Sequence, residues 1–564
     1  MRVTMTPQSL DALVVGTGFG GIYQLKKLRD QGLKVKAIDK ATDVGGTWYW
    51  NRYPGAMSDT NSLLYRFSWD YEDLVEYPWD THYLQGPDIL KYLEHVVKRH
   101  DLRKDIQFET ELLSADWNES ESRWVVGLST GETVSVKYLV TGLGLLSKTN
   151  FPAIPNLEKF QGKLYHTANW PKNADLKGRR VGVIGNGSTG VQLITAIAKA
   201  DEVKQLLCFQ RNPQYTVPAG NGVLSRQERK EINDNYEEIW DKAKQSLFAF
   251  GFDETARPTF SVTSEERDQI YEEAWQKGNG FRFMFWTFGD ITVDENANLE
   301  AQEFIRKKIR QTVKDPEKAR KLCPTELYAR RPLCDSGYYE QFNRENVDIV
   351  DIKANPITEL TPKGIKTSDG TLYDLDIIIC ATGFDAVDGN YTRIAIKGRG
   401  GESLKEHWAE MGPTSYLGIM VSNFPNLFMI AGPNGPFSNL PPAIETQVEI
   451  ISNLIARADR QTSINGSVKT NSTNGTNGAN TNGYSNGDAK HGVIEAEREA
   501  EDKWTQRCEE LSEASLFRKV DSWVFGKNIP GKKNAVMFYF GGLGPYRKEV
   551  AALVEDNMKG FRIS

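Results

Sequence analysis

Two glycine-rich turns constrain this chain more than any other feature: Gly16-Thr17-Gly18-Phe19-Gly20-Gly21 and Gly185-Asn186-Gly187-Ser188-Thr189-Gly190. Each follows an apolar strand-like run (Ala12–Val15 and Arg180–Gly185) and opens a helix-like one. In that setting the first glycine permits a tight turn, the second lets backbone approach a pyrophosphate, and the last lets helix and strand pack closely. The helix N-terminus favours the negative charge. A second strand follows each helix, at Lys34–Asp39 and at about Gln205–Arg211. Both turns therefore belong to βαβ crossovers of parallel sheets. The fold class that follows is α/β, with two Rossmann-like dinucleotide-binding domains. One such turn says only that a nucleotide binds. Two in one chain point to electrons passing between dinucleotides.

The strand ends differ in charge. Asp39 stands 23 residues after Gly16, where a carboxylate accepts the ribose hydroxyls of an adenosine. The second unit ends in Phe209-Gln210-Arg211, and a cation there attracts a 2′-phosphate that a carboxylate would repel. The second site therefore prefers NADPH to NADH.

The 564 residues predict three to four domains at about 150 residues each. From about 222 to 328 long charged stretches, Glu228–Ser246 and Ala301–Lys321 among them, read as a helical insertion. Leu375–Cys380 closes the second nucleotide domain. The expected division is 1–145 with 385–564, 146–221 with 329–384, and 222–328 between them. Residues 462–490 repeat Asn-Gly without an apolar anchor and read as a disordered loop between helices Ala443–Ile455 and Ile494–Leu511. A net charge of −6 makes no electrostatic case for nucleic acid or membrane. Five scattered cysteines indicate neither a disulfide framework nor a metal site. With no signal peptide and no apolar run near ~18 residues, a cytoplasmic setting is expected.

Between the acidic strand end and residue 60 lies an aromatic, glycine-dense loop, Gly45-Gly46-Thr47-Trp48-Tyr49-Trp50-Asn51-Arg52-Tyr53-Pro54-Gly55-Ala56-Met57-Ser58-Asp59. Its aromatics read either as core or as a wall around an isoalloxazine ring. Asp59 would be costly to bury unpaired, and a partner is available far along the chain in Tyr328-Ala329-Arg330-Arg331-Pro332. Just ahead of the second turn stands Phe160-Gln-Gly-Lys-Leu-Tyr-His-Thr-Ala-Asn-Trp-Pro171.

With these residues the chain resembles the type I Baeyer–Villiger monooxygenases. Phe160, Gly162, His166, Trp170 and Pro171 fit that family's fingerprint, and Gly45–Asp59 fits its second signature. Phe281–Phe285, Arg331–Tyr339, Gly432–Phe437 and Ser522–Lys532 look like its cyclohexanone-oxidising branch in particular. The likeness covers nearly the whole chain and departs at 462–490.

The resemblance implies a tightly bound FAD reduced by NADPH, with O2 and a ketone as co-substrates. It further implies a C4a-peroxyflavin, a Criegee adduct, and an ester or lactone product from a cyclic or aryl ketone, with sulfoxidation on the side. Arg331 would stabilise the anionic oxygen, and Asp59 would hold that arginine. FAD would contact Gly16, Gly18, Gly21, Asp39, Thr47, Trp48, Trp50, Asp59, Tyr65, Leu112 and Leu440. NADP would contact Gly185, Gly187, Ser188, Thr189, Gly190, Gln192, Arg211, Arg330, Arg331 and Trp523. Leu146, Phe250, Phe281, Phe437, Leu440 and Phe538 would line the substrate pocket. His166, read as lying in an interdomain linker without a surrounding ligand cluster, would couple the two domains with Trp170 rather than do chemistry. Gly526, Pro530 and Gly531 mark Lys527–Lys532 as an opening lid. A monomer is expected.

Two rival readings stay open. One is a flavin-containing N- or S-monooxygenase. The other is a non-catalytic NADPH-binding redox flavoprotein.

Overall fold

The computed structural model describes residues 8–468 and 492–564. Its first sheet has eight strands and is centred on Gln8–Val15, which pairs in parallel with Val35–Ile38 and with Thr133–Thr141. Residues 12–15 are buried one after another, as a strand covered on both faces requires. Leu112–Asn118 and Arg123–Leu128 extend the sheet antiparallel. Two later segments return to it in parallel, Ala395–Lys397 beside Leu112–Asn118 and Leu427–Met429 beside Thr133–Thr141.

A second sheet of five parallel strands runs in the order Val347–Asp351, Gln205–Gln210, Arg180–Ile184, Ile377–Cys380 and Lys163–His166. The stretch Phe160–Pro171, read as a linker, thus contains an edge strand, with His166 opposite Cys380. A four-residue strand has little stability of its own and takes its conformation from its partner. The two passages between the sheets, Lys148–Thr149 and Phe384–Asp385, pair antiparallel with each other.

Thr216–Pro218 and Leu333–Asp335 pair in parallel and bracket the helical stretch. Both long helices expected there are broken. Asn235, at φ −122° and ψ 15°, separates Arg226–Asp234 from Tyr236–Gln245. Pro316 opens a new helix, Pro316–Leu322, capped by Asp315 after Glu295–Thr312 has ended; proline is tolerated in a first turn and not inside a helix.

Helix Leu440–Val468 lies along Phe19–Asp30, where Gln24 donates to Ser452 Oγ at 3.0 Å. It runs into the stretch 462–490, and 469–490 lies outside the described residues. The expected helix Ile494–Leu511 divides. Ile494–Ala496 is a strand antiparallel to Phe561–Ile563, and the helix spans Arg498–Glu513. Ile494 N donates to the buried Asn426 Oδ1 at 2.7 Å, a tertiary bond that holds the chain extended there. All five cysteines are free. No described helix is long and apolar enough to cross a membrane.

Candidate active site

The two glycine turns share one geometry. Gly16 and Gly185 adopt φ +99° and +102°, and a Cβ there would lie 2.4 Å from Gly142 O or 2.5 Å from Ala381 O. Helices Phe19–Asp30 and Ser188–Ala200 begin with no side-chain cap and no acid in the first turn. Their unpartnered N–H groups fit an anion in each turn.

At the first strand end Asp39 is 8% exposed. Its Oδ2 accepts from Thr17 N at 2.7 Å and Thr17 Oγ1 at 2.8 Å, and its Oδ1 from Ala41 N at 2.9 Å. A carboxylate offers about four acceptor positions, so one remains for a ribose hydroxyl. Leu112 is buried behind this strand end in a core cluster with Ile38. In the second unit the same loop position is filled by Asn186, which donates to Gln210 Oε1 at 3.2 Å and Asn212 O at 3.0 Å. Arg211 is exposed and makes no ion pair among the described residues, whereas Arg330 donates to Asp521 O at 3.0 Å and pairs with Glu326.

Over the first turn sits the aromatic loop. Gly46, at φ +52°, brings its backbone so near Gly18 that a Cβ would lie 2.8 Å from Gly18 Cα. Trp48 is buried and meets Tyr65 edge-on at 5.7 Å, Thr47 is exposed, and Lys40 lies over the Trp50 ring. Burial pushes the Tyr65 phenol up to about 12. The loop also docks on the second nucleotide unit. Tyr53 OH donates to Gln192 Oε1 at 2.8 Å, and Gln192 Nε2 donates to Met57 O at 3.1 Å. Gln192 therefore uses both ends of its amide on this loop, leaving one N–H for a nucleotide.

Asp59 and Arg331 meet as the need to pair a buried carboxylate requires. Arg331 Nη1 donates to Asp59 Oδ2 at 2.6 Å. The Asp59 side chain is 4% exposed and that of Arg331 31%, so the carboxylate is sealed while the cation keeps an open face. Burial pulls the guanidinium pKa down, but the Asp59 charge and hydrogen bond more than offset it and leave it above its usual value. Asp59 Oδ1 is buried without a partner among the described residues. An open cation and a spare acceptor at the junction of two dinucleotide turns fit a flavin on one side and a nicotinamide on the other.

Beside this pair the Arg331 guanidinium lies 5.0 Å from the Phe281 ring centroid, and Phe281 stacks on Phe250 at 4.0 Å. These phenylalanines cluster with Met57, Tyr83 and Cys334. Phe437, Phe538, Leu440 and Leu146 belong to the main core instead. Phe437 and Phe538 are 5.4 Å apart, and Trp523 meets Phe538 edge-on at 5.7 Å. Burial, reinforced by the Asp59 charge, pushes the Cys334 thiol far above its ordinary range, so it stays protonated.

His166 lies outside this cluster. Its Nδ1 accepts from Ala168 N at 3.2 Å, its Nε2 is buried, and Phe151 and Phe384 flank the ring. Burial holds its pKa below the ordinary value. Trp170 is buried against Tyr165.

The contacts of three residues were not found from the sequence. Asn279 bonds Asp59 O, and Asn439 bonds Leu64 O and Ala249 O at 3.3 and 3.1 Å. Lys532 pairs with Asp385 at 2.6 Å and Asp388 at 2.5 Å, tying the expected lid to the interdomain passage. Only the glycines around Asn279 signalled an unusual turn there. A surface hollow of about 530 Å³ lined by Lys163, Arg180, Lys363 and Asp374 lies at the opposite end of the second sheet. Arg180 is already paired with Asp376 there.

A flavin-binding monooxygenase-like family model matches residues 11–219. A cyclohexanone 1,2-monooxygenase from Acinetobacter sp is 50% identical over 98% of this chain and 96% of its own. A phenazine N-monooxygenase from Lysobacter antibioticus is 49% identical over 98% of this chain and 96% of its own. Among solved structures, that of cyclohexanone monooxygenase from Rhodococcus sp. Phi1 bound to NADP+ superposes with a TM-score of 0.92 at 52% identity, over 99% of this chain and 100% of that one.

Proposed function

This chain belongs to the Baeyer–Villiger monooxygenase family, and from that premise we propose that it oxidises ketones, cyclic or aryl, to lactones or esters. The balance is ketone, NADPH, a proton and O2 giving ester, NADP+ and water. FAD and NADPH, when bound, supply the electrons and the activated oxygen. The observation that carries this reading is the Arg331–Asp59 pair, a cation gripped at 2.6 Å by a sealed carboxylate while its other face stays open.

The protein's own part is electrostatic and steric. Negative charge develops on oxygen both before and after attack on a carbonyl, and a preorganised guanidinium beside it stabilises that charge. Loss of one such donor costs about 2.7–4 kcal/mol in other sites. Asp59 keeps the planar fork aimed and offsets the cost of burying it. The Phe250–Phe281 and Phe437–Phe538 walls exclude water from the carbonyl and favour flat or cyclic apolar ketones, although one methylene discriminates by only ~1–3 kcal/mol.

In the same reading Gly16, Gly18, Asp39 and the Gly45–Asp59 loop hold FAD. The second turn with Arg211 and Arg330 holds the NADPH 2′-phosphate, and Trp523 the nicotinamide-side ribose. His166 and Trp170 couple the two units, a role supported by His166 lying between Phe151 and Phe384 at the interdomain passage. The domain division 1–145 with 385–564, 146–221 with 329–384, and 222–328 is supported by two sheets that draw on separate stretches. We place the protein as a monomer in the cytoplasm.

The test is to incubate the purified yellow protein with NADPH, 18O2 and a ketone panel. Esters or lactones carrying one 18O atom are expected, and NADPH consumed without any oxygenated product would overturn the reading. A second reading is favoured by the phenazine N-monooxygenase among the relatives. Aromatic N-heterocycles therefore belong in the panel, and N-oxide without lactone would move the assignment to heteroatom oxygenation.

A further inference from the structure

We propose that Asn279 is a positioning residue for the Arg331–Asp59 pair: one buried carboxamide locks the Asp59 backbone to the helix that carries Phe281. The inference rests on the function proposed above and adds a residue outside its machinery.

Asn279 is 3% exposed. The donor end of its amide reaches two partners, Asp59 O at 2.8 Å and Tyr83 OH at 3.1 Å. The acceptor end caps helix Gly280–Phe285, taking Phe281 N at 2.9 Å and Arg282 N at 3.3 Å. Its own N–H donates to Pro218 O at 2.7 Å. A single side chain therefore joins the loop bearing the carboxylate, the strand Thr216–Pro218, and the first turn under Phe281.

The backbone around it leaves no slack. Asn279 sits at φ +78° and ψ 117°, a region that non-glycine residues rarely adopt. A Cβ on Gly278 would lie 2.6 Å from Gly220 Cα, and one on Gly280 2.6 Å from Leu333 O. Gly280 N donates to Cys334 Sγ at 3.3 Å. The turn is thus wedged between Gly220 and the strand that begins two residues after Arg331. Strain of this kind persists only where the surroundings over-determine it, and here the surroundings are the Asp59 carbonyl, Gly220 and the strand Leu333–Asp335. If the carboxamide is lost, Asp59 and Phe281 are free to move independently. Arg331, bonded to one and stacked on the other, then loses its fixed position.

Two substitutions separate positioning from mere capping. Asn279→Asp keeps the cap acceptor, since aspartate caps as well as asparagine, but turns an oxygen toward Asp59 O. Asn279→Gly keeps the backbone conformation and removes all four side-chain bonds. Three readings are taken beside wild type: the flavin reduction rate with NADPH, hydrogen peroxide released without any ketone, and ester formed per NADPH with its regioisomer ratio on a 2-substituted cyclohexanone. Both variants are expected to reduce flavin at a rate within about twofold of wild type. Both should release several-fold more peroxide, form ester on the order of tenfold more slowly, and shift the isomer ratio.

Wild-type behaviour of folded Asn279→Asp in peroxide release would reduce Asn279 to a helix cap and overturn the proposal, whatever Asn279→Gly does. Absence of ester from wild type itself would indict the ketone reading instead. The peroxide measurement needs no substrate and decides the role of Asn279 in that case too.

Discussion

A Cβ placed on Gly18 would touch Gly46 Cα at 3.4 Å, whereas one on Gly187 would meet nothing within 4 Å. The backbones of the two turns are otherwise alike, with φ +99° at Gly16 and +102° at Gly185. What stands over them differs. The first turn is roofed by the aromatic loop and faces a buried Asp39, while the second is open and faces an exposed Arg211. In the proposed reading one local motif would serve two kinds of residence: a cofactor built into the fold, and one that enters and leaves. Between them stands Arg331, sealed by Asp59 on one side and open on the other.

The largest expected effect removes that shared residue. Arg331→Ala should form ester about 10²–10³-fold more slowly yet still reduce FAD with NADPH, which stopped-flow absorbance and product analysis will separate. Equal loss of both steps would mean that the arginine belongs to the second site alone.

The roof itself comes next. Gly46 lies at φ +52°, with 2.8 Å to Gly18 Cα for a Cβ. Gly46→Ala should cost ~1–3 kcal/mol of overpacking and weaken FAD retention by about tenfold. The measure is the ratio of flavin to protein absorbance after gel filtration. Gly187→Ala should leave that ratio unchanged. If both variants lose flavin alike, the contrast between a closed and an open turn is wrong.

Charge selectivity is a smaller effect. Arg211→Ala should raise KM for NADPH about tenfold, the size of a hydrogen bond to a charged group at ~1.5 kcal/mol, with KM for NADH within about twofold. Steady-state kinetics with both nucleotides check it. An equal rise for NADH would assign Arg211 to the fold rather than to the 2′-phosphate.

The smallest effect concerns the edge strand of the second sheet. Burial holds the His166 pKa below its ordinary 6.5, so on acidification the unfolded chain takes up the proton first. Above pH 6.5 the group contributes no pH dependence. From there down to the folded value stability falls, by no more than about 1.4 kcal/mol per unit. Thermal unfolding between pH 7 and 5 should therefore decline less steeply in His166→Gln than in wild type. Identical slopes would remove His166 as the source.

Much of this molecule was legible in short stretches of chain. A strand, a glycine turn and a helix are encoded by contiguous residues, and their backbone demands hold wherever they occur. Both turns stand where the motif places them, and their strands differ from the expected ones by one to four residues at an end. Asp59 was readable as a buried acid in need of a cation, with Arg330 and Arg331 both on offer, and the family resemblance singled out Arg331. Helix breaks were less legible, because Asn235 and Pro316 act through single backbone positions inside otherwise continuous charged patterns.

His166 and Ile494 escaped for another reason. Each is extended because of a partner remote in sequence, Cys380 for one and Asn426 with Phe561–Ile563 for the other. Asn279, Asn439 and Lys532 are single polar residues whose decisive bonds reach partners more than a hundred positions away. Sequence by itself determined the two nucleotide turns, the parallel strands that flank them and the charge at each strand end. These follow from backbone geometry and charge that a few neighbouring residues dictate. Only the tertiary structure decided which turn is roofed, which face of Arg331 stays open, and what holds Asp59 in place. Those depend on hydrogen bonds and close contacts that exist only once distant segments have met.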